Sequence, residues 1–263
     1  MQIPAPPHLS LFVKHFIYID LLAVQEKKYR LFPNGNTGLV FTLNNNKFRD
    51  ANNSILPYSY VFGQLTDTID ILIEGKVKVL IVVFQPFGLH QLTNIPGKEL
   101  QNEVLEADLI FGKQVLNLHE HLTGLSEIED IISVTEEFLL NQFLKSDTDN
   151  NTDMPLLVRV IIEKKGDISV KELVAYSQLH ERKLQRLFLD KIGLTPKGFI
   201  QIVKLHYFIG LLKSGEDNLT SLAHEANYFD QSHLIKDFKK ITSFTPTEYK
   251  NKQILAVNLI EVE

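Results

Sequence analysis

The sequence predicts an α+β chain of two domains, a β-rich N-terminal domain and an all-helical C-terminal domain. Three observations predict it. The chain has 263 residues, more than most single domains. Residues 147–154 offer almost nothing that a core could bury, which is typical of a linker. Apolar residues alternate before this linker and recur at helical spacing after it. We therefore expect domains over residues 1–146 and 155–252.

Four segments of the first domain carry the strand pattern. Residues 39–43 are apolar, and residues 58–62 are rich in aromatic side chains. Residues 69–74 and 77–84 carry branched apolar side chains at alternate positions, as half-buried strands do. The Glu74-Gly75 pair between the last two segments predicts a tight hairpin.

A helix is expected later in the same domain. From residue 99 onward the apolar spacing is helical, most clearly over residues 126–144. The apolar stripe of that segment has two interpretations, the core of its own domain or a seam between two copies of the chain. We expect one or two helices to close the β-rich body. The stripe consists of Ile128, Ile131, Thr135, Phe138, Leu139 and Gln142.

The second domain contains an internal repeat. Residues 169–192 and 220–241 share the order of short helix, turn and basic helix, which is a helix-turn-helix unit, and a Thr-Pro pair follows each. A helix over residues 196–213 is expected to run between the two units. At about 1.5 Å per residue it is roughly 27 Å long. It can therefore hold the two basic helices about one DNA turn apart.

The basic helix of the first unit, residues 181–189, has the side chains that base recognition requires. Leu184, Leu187 and Phe188 share one face and should be buried. Arg can donate two hydrogen bonds to guanine, and Gln fits the edge of adenine. The same polar face also fits an ordinary solvated helix surface, so both interpretations stay open at this point. The outward candidates are Arg182, Lys183, Gln185 and Arg186.

The basic helix of the second unit, residues 231–240, repeats the arrangement behind a predicted N-cap, Asp230. Leu234, Ile235 and Phe238 should be buried. One candidate, the histidine, fits a core position, a phosphate contact or a base contact equally well. The outward candidates are Gln231, Ser232, His233, Lys236 and Lys239.

Charge is divided unequally along the chain. Residues 1–154 carry 11 Lys and Arg against 19 Asp and Glu, whereas residues 155–250 carry 15 against 11. A basic domain joined to an acidic one is expected where the basic domain faces phosphate groups.

Several classes of function are not expected. The chain has no cysteine, which excludes a disulfide framework, a thiolate metal site and a cysteine nucleophile. It has no Gly-x-Ser-x-Gly elbow and no phosphate loop, so we do not expect an enzyme. The histidines are too scattered for a metal site, and we expect no cofactor. No signal sequence and no membrane-length apolar run occurs, so a cytoplasmic protein is expected.

The C-terminal domain resembles the DNA-binding domain of the AraC/XylS family. The resemblance covers about 100 residues, 155–250, with many anchors at fixed spacing. It implies that Arg182, Gln185 and Arg186 of the first unit read DNA. In the second unit it implies the same for Gln231, Ser232, His233 and Lys236. The anchors are residues 169–173, 184–188, 193–196, 204–205, 228–234, 238–239 and 244–246 together with Tyr249.

Four positions depart from the family pattern. Asn227 and Gln178 stand where turn glycines are common, His180 replaces a serine cap, and Lys204 replaces an arginine. Asn tolerates left-handed backbone, so Asn227 can preserve its turn. The departures leave the fold intact but make the preferred DNA sequence unreadable.

The N-terminal domain resembles, less specifically, a sensor domain that precedes such DNA-binding domains. In those regulators a cupin-like β-barrel binds a small-molecule effector, and a helix pair mediates dimerisation. The resemblance thus implies an effector and a homodimer. Its residues are 29–35, 39–41, 61–63, 84–88 and 95–100.

Taken together, these patterns predict a sequence-specific regulator of transcription that binds double-stranded DNA. Two recognition helices would read adjacent major grooves, and RNA polymerase would be a further partner if the protein activates transcription. The alternative is an interaction module whose helix-turn-helix units do not bind DNA. The basic faces of both units argue against that alternative, because a degenerate reader should lose them.

Overall fold

The computed structural model describes residues 1–45, 48–146, 153–213, 218–256 and 258–262. The predicted fold class is confirmed, since an antiparallel sheet with helices is followed by a helical C-terminal region. Most of the predicted linker, residues 147–152, lies outside the described residues. The position of the domain boundary therefore stays a prediction, although a helix already begins at Met154.

Nine strands of the described chain form one antiparallel sheet. Their order is β7-β5-β3-β6-β2-β9-β8, with β1 paired to β2 and β4 paired to β6. Because β7 and β8 end this order without pairing to each other, the sheet is open rather than a closed cupin-like barrel. The strands are β1 Gln2–Pro4, β2 Val13–Leu31, β3 Gly38–Thr42, β4 Arg49–Asp50, β5 Ser59–Phe62, β6 Ile69–Phe84, β7 Val104–Glu106, β8 Ile254–Ala256 and β9 Leu259–Glu261.

The predicted hairpin at Glu74-Gly75 is wrong. β6 runs through Gly75 as one strand of 16 residues and pairs along β2, a strand of 19 residues. Gly75 has a φ of +78° and pairs with Ala23, beside a bulge between Ala23 and Lys27. A left-handed glycine opposite a bulge bends two paired strands together instead of reversing one of them. The alternating pattern was correct, but Gly75 marks a bend.

Eleven α-helices lie in the described chain. The first four pack on the sheet, and the other seven build the C-terminal region. A short 3₁₀ turn, Gly97–Glu99, follows the first helix. The helices are α1 Gly88–Thr93, α2 Ala107–Phe111, α3 Gln114–Thr123, α4 Ile128–Lys145, α5 Met154–Glu163, α6 Val170–Ser177, α7 Glu181–Lys191, α8 Pro196–Leu212, α9 Leu219–Glu225, α10 Gln231–Thr242 and α11 Pro246–Lys250.

The stripe on α4 belongs to the core of its own domain. Ile131, Thr135, Leu139 and Gln142 are buried on this helix, and the two aliphatic residues join the core of the β-rich body. The seam interpretation of this stripe is therefore wrong, because its central residues are already covered. A homodimer stays a prediction, without this stripe as its interface.

Helix α8 connects two separate helical cores. Its first half supplies Phe199 and Ile202 to the core around the first unit. Its second half supplies Leu205 and Phe208 to the core around the second unit. One helix thus fixes both units, as the spacing predicted.

No helix among the described residues has the length and apolar character needed to cross a membrane.

The C-terminal tail returns to the N-terminal sheet, which sequence reasoning did not predict. β9 pairs with β2 through Leu259, Ile260 and Glu261, and β8 pairs with β9 at the sheet edge. Ile260 is fully buried in the core of the second helix-turn-helix unit. The tail therefore joins the β-rich body to that unit.

Candidate nucleic-acid interface

Helix α7 presents the polar face predicted for the first recognition helix. Arg182, Lys183, Gln185 and Arg186 are all exposed. Leu184 and Phe188 on the opposite face are fully buried, and Leu187 is half-buried. The exposed guanidinium groups are available to the edges of bases in a major groove, whereas the side-chain amide of Gln185 donates a hydrogen bond to a carboxylate oxygen of Glu181 at 3.1 Å.

Helix α10 presents the corresponding face of the second unit. Ser232, His233, Lys236 and Lys239 are exposed, and Leu234 and Phe238 are buried beneath them. The prediction for Ile235 needs correction. Its side chain is half-buried because it lies beside Ser232 and Lys236 along a shallow surface depression.

Two of the predicted readers on α10 have partners within the chain. The half-buried Gln231 accepts a hydrogen bond from the hydroxyl of Thr220 at 3.2 Å. The His233 ring lies edge-on to Tyr228, and its Nε2 lies 3.5 Å from a carboxylate oxygen of Asp237. The side chain of His233 is 49 % exposed, which rules out the core interpretation of this residue.

Both turns keep left-handed backbone without glycine. Gln178 has a φ of +54° and Asn227 a φ of +59°. The predicted preservation of the Asn227 turn is thus confirmed. His180 occupies the N-cap position of α7 but makes no capping hydrogen bond with its side chain.

Lys204 ties the connecting helix α8 to the turn of the second unit. Its ammonium group donates a hydrogen bond to the carbonyl of Asn227 and lies 4.5 Å from the centre of the Tyr228 ring. Burial lowers the pKa of Lys204. The lysine that replaces the family arginine therefore fixes the position of α10 relative to α8.

Removal of the α10 cap should destabilise the second unit. Asp230 accepts a hydrogen bond from the backbone N–H of His233 at 2.7 Å. We expect Asp230→Ala to lower the free energy of unfolding by about 1 kcal/mol. Asp230→Asn, which keeps the acceptor, should recover most of that loss. Thermal unfolding of both variants checks this, and equal losses in the two would contradict the capping role.

The first unit docks on the N-terminal domain where two glycines meet. A Cβ added to Gly97 would lie 2.5 Å from the backbone nitrogen of Gly193, just after α7. The side-chain amide of Gln101 donates to the carbonyl of Gly193 at 3.0 Å. The ammonium of Lys191 donates to Nε2 of His90 at 2.7 Å. The end of α7 is therefore held by the 3₁₀ turn and its neighbours.

The second unit docks through aromatic contacts. The Arg30 guanidinium lies 5.6 Å from the centre of the Phe244 ring. Phe32 packs edge-on against Tyr249, and its backbone exchanges hydrogen bonds with Asn258 of the tail. Both units thus contact the same β-rich body.

A cavity of about 470 Å³, here named the junction cavity, lies where the β-rich body meets α5 and α8. None of its described lining residues is Asp or Glu, whereas four are basic. Lys165 donates to the hydroxyl of Tyr207 at 3.0 Å, and this bond raises the pKa of Lys165. The pKa of Lys14 is lowered because less water reaches its ammonium group, although the residue as a whole is exposed. The basic residues are Lys14, His15, Lys165 and His206.

A second, apolar cavity of about 310 Å³ lies inside the β-rich body. It shares five apolar lining residues with the junction cavity, so the two adjoin. Burial raises the pKa of Tyr60, whose side chain lines the apolar cavity. The shared residues are Ile19, Leu31, Phe62, Ile81 and Leu259.

His206 should make stability depend on pH. Burial lowers its pKa to about 4, and its Nε2–H donates to the carbonyl of Pro33 at 3.1 Å. The unfolded chain takes up this proton first, near pH 6.5, so stability is complete above that pH and is lost as the pH falls towards 4. His15, whose pKa burial also lowers to about 4, acts with the same sign.

We therefore expect the unfolding midpoint to fall between pH 7 and pH 5, and to fall less in His206→Gln. Thermal unfolding of both proteins at the two pH values measures this. An equal fall in the two proteins would show that His206 does not titrate in this way.

Sequence reasoning missed the junction cavity. Lys14 lies on β2 and Lys165 follows α5, so their approach depends on how the two domains dock. No local pattern signals that approach. The buried tail residue Ile260 was missed for the same reason.

Two family models match the chain. Residues 173–252 match one described as a helix-turn-helix domain, and residues 1–106 match one described as a domain of unknown function (DUF6597). Three curated relatives are named as HTH-type transcriptional regulators. The protein MtrA of Neisseria gonorrhoeae is 25% identical over 149 residues, 52% of this chain and 50% of its own. YidL of Escherichia coli is 33% identical over 79 residues, 30% and 27% of the respective chains.

The third relative, an uncharacterised regulator of Haemophilus influenzae, is 24% identical over 94 residues, 36% of this chain and 32% of its own. The chain thus spans between about a quarter and a half of the length of the curated relatives it matches.

Solved structures of ToxT from Vibrio cholerae share the fold. One is 15% identical, with a TM-score of 0.52 over 89% of this chain and 97% of the other. Another, determined with an unsaturated fatty acid bound, is 13% identical, with a TM-score of 0.50 over 89% and 94%. At this identity the likeness concerns the fold alone.

Proposed function

Because the chain carries a helix-turn-helix domain of the AraC type behind a β-rich domain, we propose that it is a sequence-specific DNA-binding regulator of transcription. The single observation that carries the proposal is the pair of exposed polar helix faces, on α7 and α10, joined by the one helix α8. Base recognition requires such faces, and two adjacent major grooves require such a connection.

The residues proposed to contact DNA are those predicted from the sequence on α7 and α10. Arg and Gln side chains on α7 contact base edges, and the lysines of α10 neutralise phosphates. The interaction-module alternative is disfavoured because α7 keeps Arg182 and Arg186 exposed. Contact with RNA polymerase would follow if the regulator activates transcription, and dimerisation would need a surface other than the α4 stripe.

Selection from a random duplex library tests the proposal. The full chain should enrich a defined motif, and its affinity for that motif should fall by 100-fold or more between about 50 and 200 mM salt, as expected for several phosphate contacts. Recovery of no shared motif after repeated rounds would contradict sequence-specific binding.

We further propose that the junction cavity binds a small-molecule effector with an anionic head and an apolar tail. Lys14 and Lys165 and the lack of described acidic lining favour an anion, because an opposite charge stabilises a protonated lysine. The adjoining apolar cavity suits a hydrocarbon tail. ToxT structures with an unsaturated fatty acid and with a substituted butenoic acid bound make this ligand class a reasonable starting point.

Oleic acid and its alcohol, oleyl alcohol, test this effector class. The acid should bind the full chain and raise its unfolding midpoint, and the neutral alcohol should do so much less. Lys14→Met should weaken binding of the acid about tenfold, whereas Lys76→Met, outside the cavity, should not. Equal binding of acid and alcohol would argue against an anion site.

A further inference from the structure

Phe229 is exposed to a degree that sets it apart from every other phenylalanine in the chain. Its relative exposure is 85%, whereas the other phenylalanines, out of 17 in all, are buried or half-buried. Burial of a phenylalanine side chain stabilises a folded chain, and this residue gains little of that stabilisation within the protein.

Phe229 also occupies a position that has no counterpart in the first unit. In the first unit one residue, Leu179, separates the left-handed Gln178 from the N-cap of α7. In the second unit two residues, Tyr228 and Phe229, separate the left-handed Asn227 from the N-cap of α10. Tyr228 is buried in the core of its unit. Phe229 is therefore an additional residue that the fold does not use.

The surroundings of Phe229 are those of a DNA-facing surface. It directly precedes Asp230, the N-cap of α10, and the first exposed polar residues after it are Ser232 and His233. The N-terminal residues of a recognition helix are the ones that contact base edges in the major groove. Phe229 lies directly before these residues in the chain, at the same end of α10.

We propose that Phe229 contacts a thymine methyl group in the DNA bound by the second unit. The proposal rests on the DNA-binding function proposed above. A phenylalanine ring has no hydrogen-bonding group, and the thymine C5-methyl is the apolar group that bases present in the major groove. Phe229 is thus a specificity-determining residue that favours thymine at one position of the second half-site, which is the part of the DNA site that the second unit binds.

Thymine-to-uracil substitution tests the contact one methyl group at a time. The probe is the duplex that the full chain selects, with each thymine of the second half-site replaced in turn by uracil. One uracil should weaken wild-type binding about fourfold, the effect expected for loss of one buried methyl group. Phe229→Ala should weaken binding to the thymine duplex by a similar factor, and that variant should not distinguish thymine from uracil.

The matched control is Tyr176→Ala, which truncates another exposed aromatic residue in the first unit. It should keep the full wild-type response to uracil. Phe229→Ala should unfold at the wild-type midpoint, because its side chain makes little contact within the chain. Undiminished binding by Phe229→Ala would overturn the proposal. So would a wild-type chain that binds equally well with uracil at every thymine position. In both cases the recovered motif would still support DNA binding itself. Failure to recover any motif would overturn both.

Discussion

Replacement of Arg182 and Arg186 together by alanine is expected to weaken binding to the selected duplex about a hundredfold or more. Both side chains are exposed on α7, above the buried Leu184 and Phe188. Each bidentate contact with guanine is worth about 1–3 kcal/mol of discrimination, and two adjacent contacts are lost together. Fluorescence anisotropy at fixed salt measures the loss, and the preference for the first half-site should relax with it.

A charge-matched control separates base recognition from simple loss of positive charge. Lys113→Ala with Lys145→Ala removes the same two charges from exposed positions in the N-terminal domain. Its affinity should stay within about threefold of wild type, because these exposed side chains lie outside both recognition helices and such charges are screened by salt. Equal losses in the two double variants would contradict a reading role for α7.

The second large effect is expected at the docking surface of the first unit. In Gly97→Ala the new Cβ would lie 2.5 Å from the backbone nitrogen of Gly193 and 2.6 Å from the carbonyl carbon of Ile192. Backbone atoms cannot move aside as a flexible side chain can, so the end of α7 must shift or the contact must open. We expect the free energy of unfolding to fall by about 2 kcal/mol or more. The midpoint should then fall by roughly 4–8 °C.

Gly210→Ala is the matched control for this prediction. An added Cβ at Gly210 meets no atom within 4 Å, and the residue lies inside α8. The same chemical change should therefore stabilise the chain by about 0.5–1 kcal/mol, since alanine favours helix over glycine. Differential scanning calorimetry compares the two variants directly. A Gly97→Ala protein as stable as wild type would mean that the two glycine backbones are not held in contact.

The recognition faces could be predicted because they depend on local periodicity. Leu184 and Phe188 are spaced one helical turn apart, so their burial leaves Arg182 and Arg186 outward whatever the rest of the chain does. The cap of α10 could be predicted for the same reason, because Asp230 acts on the backbone three residues later.

Features that depend on distant parts of the chain could not be predicted. Gly75 fits a hairpin turn and a bend equally well until the bulge in β2 is known. Ile260 lies 10 residues beyond the end of α11 and carries no local sign that it completes the core of the second unit. The junction cavity needs Lys14 and Lys165, which come together only when the domains dock. Long-range packing, rather than residue type, decides each of these cases.

Docking of both units on one body would give the proposed effector a physical route to the recognition helices. Leu259 lines both cavities, and its neighbour Ile260 lies in the core of the second unit. The first unit is held through Gly97 and Gly193. An effector that moves the β-rich body would therefore act on both units through these contacts.

We propose that one chain places α7 and α10 in adjacent major grooves on one face of the duplex. The selected site should then contain two half-motifs with centres about 10 base pairs apart. The decisive measurement is the affinity for a site with base pairs inserted between the two half-motifs. Insertion of 5 base pairs should reduce affinity to that of a single half-site, because α8 cannot follow a half turn of the DNA. Affinity that is unchanged by the insertion would show that α7 and α10 do not occupy adjacent grooves together.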